Sequence, residues 1–222
     1  LKINHTSITN LSALNNLASI GDVLELSHNN LMTSIGLNNL TQLGSVVLLD
    51  LPMLTSVSGL SNNLTTINGD INIDSAGLTN LAGLSGIQHV AGNLSVSHTP
   101  LISFSNLINL TTIDGALQIF QIGSSFTSIG LHNLTTCNAF LFWGAPNLTS
   151  LEDVSHHLIN KDISTVWMIE MGITNLLGLD SLHSVPNFYM WSNPNLTSLN
   201  EFQKLTGDVF AGFSIHDNPQ LT

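Results

Sequence analysis

Cysteine, basic side chains and long apolar runs are what this sequence has least of. Its single cysteine, Cys137, excludes an intrachain disulfide framework. Only three of the 222 residues are Lys or Arg, against 14 Asp or Glu, which gives a formal net charge of −11. Phosphate binding needs clustered basic side chains, so we expect no nucleic-acid partner. No apolar run approaches the ~18 residues of a membrane-spanning helix, so we expect no membrane span in this segment.

Charged residues of either sign are also scarce. They make up 8% of the chain, whereas about 25% is usual in globular proteins. The apolar fraction of 43% is enough for a large core, and Asn, Ser and Thr provide the polar surface. This balance suits a secreted protein, so we expect an extracellular or cell-surface location. The chain has neither an initiator Met nor a visible signal peptide, and we expect it to be a piece of a longer chain.

An internal repeat decides the predicted architecture. FLFWGAPNLTSL (140–151) matches FYMWSNPNLTSL (188–199), and INIDSAGLTNL (71–81) matches VWMIEMGITNL (166–176). Aligned on these segments, strands are predicted to begin every 22 to 26 residues, at Leu1, Leu24, Val46, Ile71, Leu94, Leu117, Phe140, Val166, Phe188 and Phe213. The first and third residues of each strand are apolar. Because side chains alternate along a strand, these point inward, and positions two and four point outward.

The stretches between strands predict turns rather than helices. Their apolar residues are mostly three apart, as in Leu81, Leu84, Ile87 and Val90, a spacing that fits tight turns better than a 3.6-residue helix. We therefore predict a mainly β fold with little helix, a right-handed leucine-rich-repeat or parallel β-solenoid of about ten coils. No linker interrupts the pattern, so residues 1–222 are predicted to form a single solenoid domain, and neither end has a recognisable cap.

Cys137 has a place in this repeat. It falls in the same column as the apolar residues Ile20, Leu43, Ile67, Val90 and Ile113. A small buried apolar side chain is therefore the preferred interpretation of this thiol, over an intermolecular disulfide.

The repeat unit resembles the leucine-rich repeat in its broad sense. It looks most like the receptor L-domain variant and the repeats of fungal GPI-anchored cell-wall proteins. The segments that carry the resemblance are NLSVSHTPLISF (93–104), NLTTIDGALQI (109–119) and FYMWSNPNLTSL (188–199). The resemblance implies an extracellular role in recognition or in wall architecture. It has two departures, since no cysteine-rich segment flanks the repeats, and the Asn expected after each strand is present at Asn193 but replaced at Leu51.

The outward strand positions become strongly aromatic in coils six to nine. We define an aromatic patch of seven residues, Phe120, Leu141, Trp143, Trp167, Ile169, Tyr189 and Trp191, which holds all three Trp residues of the chain. A large apolar patch on a soluble surface usually marks a contact site. Aromatic rings serve as anchors in protein interfaces and also suit sugar faces. A protein partner or self-assembly, a carbohydrate ligand, and a covering segment that makes the patch ordinary core all remain open.

Asn-X-Ser/Thr sequons recur along the chain. They lie at Asn4, Asn10, Asn39, Asn63, Asn93, Asn109, Asn133, Asn147 and Asn195. In a secreted eukaryotic protein these are glycosylation acceptors. The triplet NLT is also part of the repeat consensus, so structural reasons alone account for its recurrence. We expect some sites to be occupied but not all, because neighbouring coils would hold their glycans only ~5 Å apart.

Metal, cofactor and catalytic motifs are not found. His5, His28 and His98 share one repeat position, and His5 can approach His28 from the adjacent coil, but a metal site needs three or four converging ligands. We therefore predict no metal and no cofactor. The chain has no GxSxG, HExxH or phosphate-binding glycine loop, and Glu170 is an isolated carboxylate. These features predict a protein that is not an enzyme.

Two functions fit the sequence. The first is a structural or assembly subunit of a cell wall, matrix or filament, which the uncapped ends and the charge-poor, sequon-rich surface slightly favour. The alternative is a receptor L-domain-like recognition module that binds a protein or carbohydrate ligand. Both predict contacts through the aromatic patch.

Overall fold

The protein was examined as a computed structural model, which describes residues 1–60, 63–155, 158, 162–205 and 209–222. Strands dominate these residues. They are β1 (Lys2–Asn4), β2 (Ser19–Ser27), β3 (Gln42–Leu51), β4 (Thr66–Ile67), β5 (Ile71–Ala76), β6 (His89–Val90), β7 (Leu94–Ser97), β8 (Thr112–Phe120), β9 (Thr136–Ala145), β10 (Thr165–Met171), β11 (Val185–Trp191) and β12 (Val209–His216). The described helical segments are short: α1 (Glu152–Ser155) and the 3-10 turns Ser12–Leu14, Ala82–Leu84 and Asn200–Lys204.

All of these strands join one parallel sheet. Its ten main rungs are β1, β2, β3, β5, β7, β8, β9, β10, β11 and β12, so the chain makes about nine turns of a β-solenoid. The register confirms the predicted strand starts. Val46 pairs with Ile71, Ile71 with Leu94 and Leu94 with Leu117, and the same alignment holds in the other rungs.

Several strands begin earlier than the repeat predicted. β2, β3, β8 and β9 are nine or ten residues long because the segment before the predicted start is also paired. A bulge separates the two parts. Between β2 and β3 the register passes from Ile20 paired with Leu43 to Val23 paired with Ser45. Two residues of one strand therefore oppose one of the next, which bends the strand at this point.

The inward positions fill the core in columns, as predicted. In the rungs from β2 to β11 the first and third strand residues are buried, for example Leu24, Leu26, Phe140 and Phe142. Cys137 is fully buried and pairs with Ile113 in the column predicted for it. Each coil has too small an apolar face to be stable alone, so stacking provides most of the burial.

The recurrent NLT triplet also holds neighbouring coils together. In Asn39-Leu40-Thr41, the Asn39 Nδ2 donates to the carbonyl of Asn15 at 2.9 Å and the Thr41 Oγ1 donates to the carbonyl of Ala18 at 3.1 Å. Leu40 between them is fully buried. Asn109 and Thr111 repeat the arrangement three coils farther along the chain. The triplet therefore has a structural role whether or not any of its asparagines is modified.

Candidate binding face on the parallel sheet

The seven residues of the aromatic patch lie together on the outer face of the sheet. Strand alternation turns them away from the core, and the parallel register sorts them into two columns. One column runs Leu141, Trp167, Tyr189, and the other runs Phe120, Trp143, Ile169, Trp191. Trp143 and Trp167 are 42% and 41% exposed, and the other five residues are half-buried. The patch predicted from the sequence is thus one continuous surface across β8 to β11.

The rings of this patch hold one another in place. Trp167 and Tyr189 meet edge to face with centroids 5.9 Å apart, and Tyr189 meets Trp191 in the same way at 6.0 Å. Trp191 stacks on His216 of β12 at 4.9 Å. Edge-to-face and offset-stacked rings are the preferred aromatic geometries. A surface whose rings are packed before binding loses less side-chain entropy when a ligand arrives.

Two of the three indole N–H groups are satisfied within the protein. The Trp143 Nε1 donates to the Glu170 carboxylate at 3.0 Å, and the Trp191 Nε1 donates to the Ser214 hydroxyl at 3.1 Å. These bonds fix the planes of both indoles. The sequence suggested no partner for Glu170, because 27 residues separate it from Trp143. The available signal was its place just after β10 position four, one rung beyond Trp143.

A left-handed corner borders the sheet face in every rung. The residue after strand position four has a positive φ throughout: 48° to 57° at His5, His28, Asp50, Ser75, His98, Gln121, Glu170, Ser192 and Asp217, and 73° at Gly144. This corner stacks polar side chains along the edge of the sheet. His5 stacks on His28 at 4.5 Å, as their shared repeat position predicted, and the His28 Nδ1 lies 2.8 Å from Asp50.

Asp74 lies beside this corner at the outward fourth position of β5. Burial raises the pKa of its carboxyl, but hydrogen bonds from His98, Ser97 and Ser75 lower it more, so the net pKa is below its ordinary value. Asp74 therefore remains a carboxylate throughout the neutral range. Its oxygens are already engaged, with His98 Nδ1 at 2.8 Å.

A polar depression adjoins the aromatic patch on its N-terminal side. It encloses about 170 Å³ and is lined by Asp70, Ile71, Asn72, Asn93, Ser95 and Gln118. Asp70 and Asn93 form its rim through structural bonds: the Asp70 Oδ1 accepts from the Asn93 backbone N–H at 2.7 Å, and the Asn93 Oδ1 accepts from Ala116 N–H at 2.8 Å. This depression was not predicted from the sequence.

Part of this solenoid is similar to a known protein family. The family model described as the receptor L domain matches residues 63–168, just under half of the chain. The chain is a receptor L-domain-like repeat solenoid. No curated protein and no solved structure matches it. The matched region holds β4 to β9 and the first four residues of β10, so it covers the polar depression and the aromatic-patch residues from Phe120 to Trp167.

The sequons of this receptor L-domain-like solenoid fall into distinct settings. Eight of the nine asparagines are exposed, at positions 4, 10, 39, 63, 109, 133, 147 and 195. The amides of Asn39, Asn109, Asn133 and Asn147 donate to a carbonyl of the preceding coil. Asn93 alone is half-buried, with its amide bound to Asp70 and its carbonyl oxygen to Ala116. Glycan occupancy stays a prediction, and Asn93 is the least suitable of the nine.

Neither a metal cluster nor a membrane helix is found in the described part of the solenoid. No three His, Cys, Asp or Glu side chains there converge in a way that could hold a metal ion. None of the helices described is both long and apolar enough to cross a bilayer.

Proposed function

We propose that this chain is an extracellular recognition module that binds its ligand through the aromatic patch. The family match supports this alternative more than the structural subunit that the sequence slightly favoured, since the receptor L domain is a non-enzymatic, receptor-type domain. Nothing in the fold or in the comparisons favours a cell-wall role. The continuous sheet supports the further proposal that residues 1–222 form one domain.

The observation that carries the proposal is the pair of half-exposed indoles on a rigid sheet. Trp143 and Trp167 each leave about two fifths of their surface in solvent, although Trp is among the most effective residues for gaining energy from burial. They stand in adjacent rungs, where Trp143 pairs with Ile169 and Trp167 with Leu141. Tryptophans at the centre of such a surface are typical binding hot spots.

A triple substitution tests the proposal. The variant W143A/W167A/W191A removes the indoles and should lose at least about tenfold in affinity for whatever the wild-type chain binds on arrays of secreted proteins and glycans, since each hot-spot truncation costs about 2 kcal/mol or more. Circular dichroism and the Tm should show that the solenoid remains folded. A matched control is L31A/M53A/I102A, which removes apolar side chains, each 54% exposed, that lie outside the strands.

The oligomeric state separates recognition from structural assembly. Sedimentation over a wide concentration range should give a monomer for the wild-type chain. Concentration-dependent polymers that persist in the triple variant would contradict the recognition proposal. So would array signals that the triple variant and the control retain equally.

A further inference from the structure

Three polar side chains without a hydrogen-bond partner in the described part of the protein occupy consecutive rungs in the floor of the polar depression. Asn72, Ser95 and Gln118 pair directly across β5, β7 and β8, with Asn72 opposite Ser95 and Ser95 opposite Gln118. All three are half-buried. None of them has a side-chain hydrogen bond to any residue that the structure describes. Their polar atoms are open to solvent, so they can hydrogen-bond to water or to a ligand that displaces it.

The two polar residues on the rim of the depression, Asp70 and Asn93, do have hydrogen-bond partners within the protein. The Asp70 carboxylate and the Asn93 amide are bound to each other and to backbone N–H groups of neighbouring coils. These bonds fix the shape of the depression and occupy the Asp70 Oδ1 and the Asn93 Oδ1. The side chains with no hydrogen bond to a described residue are Asn72, Ser95 and Gln118.

The depression opens directly onto the aromatic patch. Gln118 pairs with Leu141, Leu141 with Trp167, and Trp167 with Tyr189. A single outward column therefore runs from polar amides and a hydroxyl to aromatic rings without a break. Six rungs at ~4.8 Å give it a length of about 24 Å from Asn72 to Tyr189.

We infer that this column binds a neutral oligosaccharide, with its hydroxyls on Asn72, Ser95 and Gln118 and its apolar ring faces on Trp167 and Tyr189. The inference rests on the proposed recognition function and specifies its ligand. Amide and hydroxyl groups both donate and accept hydrogen bonds, as sugar hydroxyls do. An elongated ligand with polar groups and apolar faces matches both halves of the column.

Charge and backbone chemistry argue against other ligands. A net charge of −11 and the Asp70 carboxylate on the rim disfavour anionic ligands. A basic peptide would need several carboxylates, and Asp70 is the one acidic residue among those that line the depression. An extended peptide recognised through its backbone needs a free sheet edge, whereas this column lies in the interior of the sheet between paired strands.

The test compares two variants of the column with one control. N72A/S95A/Q118A removes the free polar groups, and W167A/Y189A removes the rings. T55A/T127A/T149A changes three exposed threonines outside the strands and without side-chain hydrogen bonds to described residues. Each protein is titrated calorimetrically with cellohexaose, chitohexaose, mannohexaose and laminarihexaose and with the corresponding disaccharides, after circular dichroism has shown that it is folded.

The expected result is that at least one hexasaccharide binds the wild-type chain, more tightly than its disaccharide because it spans more rungs. Either column variant should lose about tenfold or more in affinity, and the control should bind as the wild type does. The inference is overturned if none of the hexasaccharides binds, or if N72A/S95A/Q118A binds as tightly as the control. If the inference is overturned in this way but the chain binds a protein ligand that only W143A/W167A/W191A fails to bind, the recognition function is retained and the carbohydrate ligand is rejected.

Discussion

Each rung of the sheet has a residue in the left-handed backbone region directly after its fourth position. Nine of the ten corner residues are not glycine, yet their φ values lie within 48° to 57°. The left-handed conformation costs about 1–2 kcal/mol for an L-residue, and Asn, Asp and His adopt it more readily than most. Five of the nine are His or Asp, namely His5, His28, His98, Asp50 and Asp217. Four of these form His–Asp contacts: His28 with Asp50, His98 with Asp74, and Asp217 with His216.

Cys137 gives a prediction about pH. Burial raises the pKa of its thiol from 9.0 to about 11, against smaller lowering contributions from backbone hydrogen bonds, chiefly at Ala139. Between these two values the unfolded chain releases the thiol proton and the folded chain keeps it. The free energy of unfolding should therefore be unaffected by this group below about pH 9 and should fall by roughly 2–3 kcal/mol up to pH 11.

Urea unfolding of the wild type and of C137A from pH 8 to 11.5 measures this effect, because other titrating groups cancel in the difference between the two. The free energy of unfolding of the wild type should fall relative to that of C137A as the pH rises across this range. Parallel curves, or rapid reaction of the native thiol with a disulfide reagent at pH 8, would contradict the burial argument.

At the scale of the strands, the bulges bring neighbouring coils very close together. Between β2 and β3, Gly21 and Asp22 oppose the single residue Gly44. A Cβ built on Gly44 would collide with the carbonyl oxygen of Asp22, whereas one on Gly21 would have nothing within 4 Å. The two glycines lie in the same bulge, but Gly44 is buried against another coil whereas Gly21 is exposed.

Substituting each of these glycines by Ala should therefore have opposite effects. G44A should lower the free energy of unfolding by about 1–3 kcal/mol because the backbone must shift to accommodate the methyl group. G21A should be neutral or raise it by up to about 1 kcal/mol, since it only restricts the unfolded chain. Chemical denaturation measures both, and an equal loss in the two variants would show that the close approach is not what matters.

The NLT triplet shows how a repeat consensus can combine structural and modification signals. Its Leu fills the core while its Asn and Thr donate to carbonyls of the coil before, as Asn133 Nδ2 does to Ile108 at 2.7 Å and Thr135 Oγ1 to Thr111 at 3.0 Å. The hydrogen bonds join adjacent coils in the segment just before the strands. Repetition of a sequon in this solenoid therefore gives no information on glycosylation by itself.

At the scale of the whole molecule, acidic residues greatly outnumber basic ones. Fourteen acidic and three basic residues give −11 on a chain with an isoelectric point of about 4.8. Such an excess destabilises the compact state through self-repulsion. Raising NaCl from 10 to 200 mM shortens the screening length from about 30 Å to below 10 Å.

At pH 7 this screening should raise the free energy of unfolding, by an amount on the order of 1 kcal/mol, the upper range of exposed charge interactions. At pH 5, close to the isoelectric point, the same salt change should have little effect. Urea unfolding in the four conditions measures both. A loss of stability with salt at pH 7 would show that attractive pairs such as Lys2 and Glu25, 2.7 Å apart, outweigh the repulsion.

Much of the architecture was predictable from the repeat because period-two alternation and a near-constant spacing are local properties of the chain. They placed strand starts such as Leu94 and Leu117 in register, assigned Cys137 to a buried column and gathered the tryptophans on one outer face. The longer strands were missed, because pairing of the segments before the predicted starts depends on the bulges between coils.

What the sequence determined by itself is which side chains face inward and which face outward, since that follows from alternation along each strand. Only the stacked structure decided how the outward groups are partnered. The Trp143–Glu170 bond, the Asp70–Asn93 rim and the three free polar groups beside it each depend on residues more than 20 positions apart. Whether such groups are bound to each other or left free for a ligand is set by sub-ångström geometry between coils, and no local pattern in the chain encodes it.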